Sequence, residues 1–142
     1  MAILQTSAKV LTKRLPKVIS PTAHAVIDYV SAATFFAVGA LYFRRNKRAA
    51  ISAIICGAAE TVTSLLTDYP GGVADMISFP SHGKIDVGLA AMTAALPEFM
   101  DFSDERENAL FRNQALVKTI ATGLTDFGRG RNYDEAFERE AA

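Results

Sequence analysis

The sequence predicts an all-α fold: a four-helix transmembrane bundle made of two tandem helical hairpins and preceded by an amphipathic N-terminal helix. Half of the 142 residues are apolar, which is enough for one core. Four apolar stretches of nearly 20 residues follow one another, and the second half of the chain repeats the first. These observations favour a single helical domain with an internal duplication.

The repeat becomes visible when residues 24–72 are aligned with residues 82–130. Twelve of the 49 aligned positions are identical, whereas roughly three identities are expected from composition alone. The identical pairs include His24 with His82, Asp28 with Asp86, and Thr67-Asp68 with Thr125-Asp126. Duplication of one helical hairpin explains this pattern, with copy one at 24–68 and copy two at 82–126.

Each copy contains two apolar stretches separated by a charged link. The stretches lack the alternation typical of strands and are rich in alanine, so they are expected to be helices. Lengths near 20 residues also match the thickness of a bilayer. The predicted helices cover residues 24–43, 49–68, 82–100 and 109–127. A water-soluble bundle is the alternative, because the second copy is the more charged one.

The N-terminal segment is basic and periodic. No acidic residue precedes Asp28, whereas lysines recur at positions 9, 13 and 17, opposite a face formed by leucines 4, 11 and 15. This pattern predicts that residues 1–20 form an amphipathic helix in a membrane surface, with a cleaved organelle-targeting peptide as the alternative. The expected location is a bacterial inner membrane, or an organelle membrane if the segment is a targeting peptide. Residues 21–142 are assigned to the membrane domain, which ends in a short polar tail.

Composition limits the partners. Fifteen basic residues balance fifteen acidic ones, which argues against a general nucleic-acid binder. The single cysteine, Cys56, excludes a disulfide within the chain and is interpreted as a small packing residue. The expected partner is the lipid bilayer. Small residues at four-residue spacing, such as Ala49, Ala53 and Gly57, also suit helix contacts within the bundle, in a homo-oligomer or in a larger membrane complex.

Polar residues interrupt the apolar helices at repeated positions. His24 and Asp28 are four residues apart and lie one helical turn from each other, as do His82 and Asp86. Because the helices of a hairpin run in opposite directions, Asp68 and Asp126 are expected to reach the same end. The full predicted cluster is His24, Asp28, Asp68, His82, Asp86 and Asp126.

Three interpretations of this cluster are open. It can be a hydrogen-bonded network that fixes the helices, without any cofactor. It can bind a metal ion, with His24, Asp28, His82 and Asp86 as ligands, or relay protons, because histidine and carboxylate groups serve both purposes. It can also hold haem b between His24 and His82, the two histidines of the chain.

A second buried pair is predicted deeper in the bundle. Glu60 corresponds to Lys118 in the repeat, so opposite charges occupy equivalent depths. A lone charge inside an apolar bundle is costly, whereas a pair compensates. We therefore expect Glu60 and Lys118 to contact each other.

Three sequence segments resemble a known group of proteins. HAVIDYVSAATFF, LLTDYPGGVADMISFPSHGKIDVG and GLTDFG are similar to uncharacterised small bacterial membrane proteins with four spans and duplicated hairpins, in the style of SPW-repeat proteins. The likeness covers about 105 residues. It implies a four-helix inner-membrane protein and carries no established activity. This chain departs from the pattern because it has no tryptophan, and Leu96-Pro97-Glu98 stands where a Ser-Pro-Trp-like segment is expected.

These observations favour a non-enzymatic membrane protein. Phosphate-binding glycine loops, a recognisable nucleophile motif and paired Cys-x-x-Cys motifs are absent from the sequence. The leading expectation is a membrane protein that binds an ion or proton at the His/Asp cluster or serves as a subunit of a membrane complex. The alternatives are a haem-binding electron-transfer anchor and a purely structural subunit.

Overall fold

The computed structural model describes residues 15–128. Within that range the chain forms four helices and two very short strands. The elements in chain order are α1 (Pro21–Tyr42), α2 (Lys47–Leu65), β1 (Thr67–Asp68), β2 (Ile77–Ser78), α3 (Phe79–Phe99) and α4 (Asn108–Leu124). The predicted all-α class is confirmed, and the ends of the helices differ from the predicted ends by one to three residues.

Side-chain caps define where the first three helices begin. Ser20, Asn46 and Ser78 each accept a hydrogen bond from the backbone N–H three residues later, at 3.1 to 3.3 Å. Ser20 and Ser78 are equivalent positions of the repeat, so α1 and α3 begin at matching points. Both helices therefore start about one turn earlier than predicted, and their histidines point inward at the end of the first turn.

Two short parallel pairings connect the copies. Thr67 of β1 pairs with Ile77 of β2, and Thr125 pairs with Ile19. The second pairing is the first shifted by one repeat, so the end of each copy is joined to the start of the other. The resulting arrangement is pseudo-twofold, and it places both threonines beside the inner faces of α1 and α3.

The segment before α1 differs from its prediction. Residues 15–20 are extended, because Val18 and Ile19 donate backbone hydrogen bonds to Leu124 O at 3.0 and 3.1 Å. The predicted amphipathic helix is therefore wrong for residues 15–20. Its remainder, residues 1–14, lies outside the described residues, as does the predicted C-terminal tail from residue 129 onward.

Each hairpin packs as a unit, with α1 along α2 and α3 along α4. An apolar cluster fills the middle of the bundle and consists of Phe35, Ala49, Ala53, Cys56, Phe102 and Phe111. Cys56 is thus a packing residue, as expected. Glycine at position 57 favours the close approach of α2 to α1, because a Cβ there would lie only 3.2 Å from Ala32 O.

Ion pairs join the two charged links at one end of the bundle. Arg48 lies 2.9 Å from Asp101 and 2.7 Å from Glu105, and Arg45 lies 3.3 Å from Glu107. The basic link of the first hairpin is therefore tied to the acidic link of the second. The opposite end of the bundle contains the histidines.

Among the described helices, α1 and α2 are long and apolar enough to cross a membrane. Helix α4 has 17 residues, and α3 includes Lys84, Asp86 and Glu98 within its span.

Candidate functional site

The first turns of α1 and α3 bring four ionisable side chains together between the two copies. His24, Asp28, His82 and Asp86 each contribute one nitrogen or oxygen atom, and these four atoms lie within 4.8 Å of one another. No more than 2 % of any of the four side chains is exposed. The structure thus brings together the four residues that the sequence names as candidate metal ligands.

The contacts between these residues cross from one copy to the other. His24 Nε2 lies 2.9 Å from Asp86 Oδ2, and His82 Nε2 lies 3.1 Å from Asp28 Oδ2. The contacts within each copy are longer, at 3.5 Å for His24 with Asp28 and 3.3 Å for His82 with Asp86. The site is therefore incomplete in either hairpin alone.

The two remaining predicted members, Asp68 and Asp126, are not part of this group of four. Both are half-buried and have partners of their own. The prediction extended α2 and α4 through these residues, but both helices end before Thr67 and Thr125. Successive side chains of an extended segment point to opposite sides, so the threonine rather than the aspartate faces inward.

Thr67 and Thr125 determine the tautomer of both histidines. The Thr67 hydroxyl lies 2.7 Å from His82 Nδ1, and the Thr125 hydroxyl lies 2.7 Å from His24 Nδ1. Each hydroxyl donates its single proton to a backbone carbonyl of its own helix, at 2.6 Å. Each hydroxyl must therefore accept a hydrogen bond from the imidazole, so both histidines carry a proton on Nδ1.

The Nε2 atoms consequently face the aspartates. His24 Nε2 is aligned for a hydrogen bond with Asp86 Oδ2. Within residues 15–128, His82 Nε2 has no aligned hydrogen-bond partner, although carboxylate oxygens of Asp28 and Asp86 lie 3.1 and 3.3 Å away. His82 is 1 % exposed, and its buried Nε2 without an aligned partner can direct a lone pair at a shared cation.

The contact predicted between Glu60 and Lys118 is present, and it belongs to the same network. Lys118 Nζ lies 3.3 Å from Glu60 Oε1, and it donates to Asp28 Oδ1 at 3.0 Å and to Asp86 Oδ1 at 3.1 Å. Each aspartate thus uses Oδ2 toward the histidines and Oδ1 toward the lysine. The sequence did not predict that the ion pair and the His/Asp cluster are continuous.

Aromatic rings pack against both histidines. Phe127 and Phe79 lie 5.2 and 5.7 Å from the His24 ring, and Tyr69 lies 5.2 Å from the His82 ring, measured between centroids. The Tyr69 hydroxyl donates to Asp28 Oδ2 at 3.1 Å. Burial and the neighbouring Asp28 carboxylate raise the pKa of Tyr69, so the phenol stays protonated and remains a donor.

Sequence reasoning missed Thr67, Thr125 and Tyr69 as parts of the site. The repeat could have indicated the threonines, because threonine stands at both equivalent positions, directly before the aspartate in each copy. Tyr69 corresponds to Phe127, so the repeat conserves the aromatic ring, whereas the hydroxyl belongs to copy one alone.

The geometry does not favour the haem alternative. The two imidazole rings are in edge contact, with centroids 5.3 Å apart and planes at 79°. Their Nε2 atoms face aspartate carboxylates. A porphyrin ligated from both sides needs a flat apolar gap between the two histidines, and here the two carboxylates occupy that gap.

Comparison with protein-family models, curated proteins and solved structures finds no match to this chain. The resemblance to SPW-repeat-like membrane proteins therefore stays a prediction.

Replacing either Thr67 or Thr125 by valine should destabilise the fold. Each change leaves a buried imidazole N–H without an acceptor, which costs about 1–3 kcal/mol. Thr63→Val is the matched control, because the Thr63 hydroxyl bonds to Ala59 O of its own helix, at 2.8 Å. Thermal unfolding followed by circular dichroism measures the effect. Losses no larger than that of Thr63→Val would contradict the assigned tautomers.

Proposed function

We propose that this protein is a membrane-embedded helical bundle that binds one divalent transition-metal ion between its two copies. The proposed ligands are Nε2 of His24 and His82 and Oδ2 of Asp28 and Asp86. The observation that carries the proposal is the convergence of these four buried atoms, one from each side chain, within 4.8 Å of one another.

The distances between the histidine nitrogens and the aspartate oxygens suit neighbouring ligands of one metal ion. Metal–ligand bonds of about 2.0–2.1 Å place neighbouring ligand atoms of a tetrahedron roughly 3.3 Å apart. The four distances from Nε2 to Oδ2 range from 2.9 to 3.5 Å. Imidazole and carboxylate ligands in this geometry suit zinc. Four protein ligands leave no open position for a substrate, which favours a structural or storage role over catalysis.

The surrounding hydrogen bonds also suit a metal. Ligating histidines usually donate their second N–H to an oxygen atom, which fixes the tautomer. Thr67 and Thr125 accept these bonds here. The other oxygen of each aspartate is held by Lys118. The ligand atoms are therefore oriented before any ion binds.

The net charge of the buried network also favours a bound metal ion. Asp28, Asp86 and Glu60 supply three negative charges around the single positive charge of Lys118. With neutral imidazoles this buried network has a net charge of minus two, which is costly inside a protein. One divalent cation neutralises it.

A proton-holding network is the second candidate. The observation that favours it is the 2.9 Å hydrogen-bond geometry between His24 Nε2 and Asp86 Oδ2, which requires a proton on that nitrogen. Two protonated imidazoles also neutralise the network, and the protein is then a structural membrane subunit. Metal analysis separates the two candidates.

The distribution of polar and apolar residues supports a membrane location. The interior of the bundle near the histidines contains charged side chains, whereas all four helices expose large apolar residues. The exposed residues include Val26, Val30, Ile51, Ile55, Val87, Leu116 and Ile120. A water-soluble bundle has the opposite arrangement, with apolar residues inside and polar residues outside. The lipid bilayer is therefore the proposed partner of this surface.

Charges in the second hairpin fit this proposal. Asp86 and Lys118 are buried in the network. Lys84, Glu98 and Arg112 lie within the first six or last two residues of their helices. Side chains near helix ends can extend toward the lipid headgroups. The middle of each outer face is then uncharged, although overall hydropathy selects only α1 and α2.

Purified protein should bind one zinc ion per chain. At a free zinc concentration 100 times the Kd, binding should stabilise the fold by about 2.7 kcal/mol. His82→Ala should abolish binding, whereas Asp68→Asn, a carboxylate outside the group of four, should retain it. Elemental analysis after gel filtration gives the ratio. A ratio near zero, or one that His82→Ala leaves unchanged, would contradict the metal proposal.

A charge on the outer face should distinguish a membrane bundle from a soluble one. Leu116 is 58 % exposed and lies at the middle of α4. In lipid, Leu116→Asp should cost about 3 kcal/mol and reduce the protein retained in carbonate-washed membranes. Ala109→Asp, exposed in the first turn, is the control and should be retained. Normal accumulation of Leu116→Asp as a detergent-free soluble protein would contradict the membrane proposal.

A further inference from the structure

The ammonium group of Lys118 is enclosed by carboxylates from three helices. Its Nζ lies 3.0 Å from Asp28 Oδ1, 3.1 Å from Asp86 Oδ1 and 3.3 Å from Glu60 Oε1. Lys118 is 6 % exposed and Glu60 is 4 % exposed. Three converging carboxylates around one small cation are also the environment that a divalent metal ion prefers.

A fourth oxygen is available at this position. Within residues 15–128, Glu60 Oε2 is buried and has no hydrogen-bond partner. A carboxylate oxygen that is removed from water and left unpaired is unusual and costly. Oδ1 of Asp28, Oδ1 of Asp86 and Oε1 of Glu60 surround this position, and the unpaired Oε2 belongs to the same Glu60 carboxylate.

The aspartates connect this position to the proposed metal site. Each directs Oδ2 toward the histidines and Oδ1 toward Lys118. A cation in place of the ammonium would therefore share both aspartates with the ion held by His24 and His82. Two carboxylates that bridge neighbouring ions are the arrangement of dinuclear metal centres in helical bundles.

The repeat places a glutamate at the position equivalent to Lys118. Position 118 is equivalent to position 60, where copy one has a glutamate. A glutamate at both positions would give two histidines and four carboxylates on the pseudo-twofold axis. Lys118 is the residue that departs from this symmetric ligand set.

We infer that the Lys118 ammonium occupies a second cation site and limits the protein to a single metal ion. The inference rests on the proposed metal site and assigns Lys118 as the residue that sets its stoichiometry. With lysine, one divalent ion neutralises the network. With glutamate at position 118, the four carboxylates require two.

The test is the number of zinc ions bound by Lys118→Glu. Elemental analysis after gel filtration should give one ion per chain for the unchanged protein and two for the variant. Lys118→Met, which removes the charge but fills the same space, is the control and should bind one. Circular dichroism of each zinc-loaded protein verifies that the helices are intact.

Shared ligands give a second readout. When Lys118→Glu is loaded with Mn²⁺, two ions bridged by Asp28 and Asp86 should produce a spin-coupled paramagnetic resonance spectrum. Two independent ions would produce the six-line pattern of isolated Mn²⁺. If Lys118→Glu does not fold, Lys118→Asn is the alternative variant. The shorter asparagine side chain leaves room for an ion at the ammonium position and supplies an amide oxygen as a ligand. This variant should also bind two coupled ions.

The outcomes separate the two proposals. If the unchanged protein binds one zinc ion and the folded position-118 variants still bind one, the inference is wrong and the metal site stands. A second ion without spin coupling also overturns the inference. If the unchanged protein binds no zinc ion, the proposed function itself is wrong.

Discussion

The buried contacts between the histidines of one copy and the aspartates of the other are the interaction on which the structure depends. Two aspartates, a glutamate and a lysine are removed from water at this point. Unpaired buried charges are strongly destabilising, so the two copies must be held in the relative position that pairs these groups. The parallel pairings at Ile19 and Ile77 meet this requirement, because they bring each threonine to the histidine of the other copy. The packing of the two copies and the buried contacts of the site therefore depend on each other.

The same constraint explains why ionisable residues gather inside the histidine end of the bundle. The charged network fills the interior of the bundle near the histidine end. The cluster of Phe35, Phe102 and Phe111 lies between this network and the ion pairs of the charged links. We propose that lipid covers the apolar outer surface. In lipid, the cost of burying charges also favours a bound counter-ion, so the membrane and metal proposals support each other.

Much of this site could be predicted from the sequence, because the duplication places the same ionisable residues at equivalent positions of the two copies. A histidine four residues before an aspartate, found twice, predicts two equivalent faces, and Glu60 opposite Lys118 predicts a pair. The threonines could not be distinguished from the adjacent aspartates, because that choice depends on where the helix ends. The helices end at Leu65 and Leu124, whose carbonyls accept hydrogen bonds from residues outside the helix, Val73 and Val18 among them, and local periodicity does not reveal such contacts. The extended segment at residues 15–20 was mispredicted for the same reason.

Zinc K-edge X-ray absorption of the zinc-loaded protein tests the central claim most directly. The account predicts four nitrogen or oxygen neighbours at about 2.0–2.1 Å, two of them imidazoles. Imidazole rings are recognised by multiple scattering from their outer atoms, so two rings are distinguishable from none. A zinc shell made of water and carboxylate oxygens alone, or protein that retains no zinc, would contradict the assignment of His24 and His82 as ligands facing one ion across the pseudo-twofold axis.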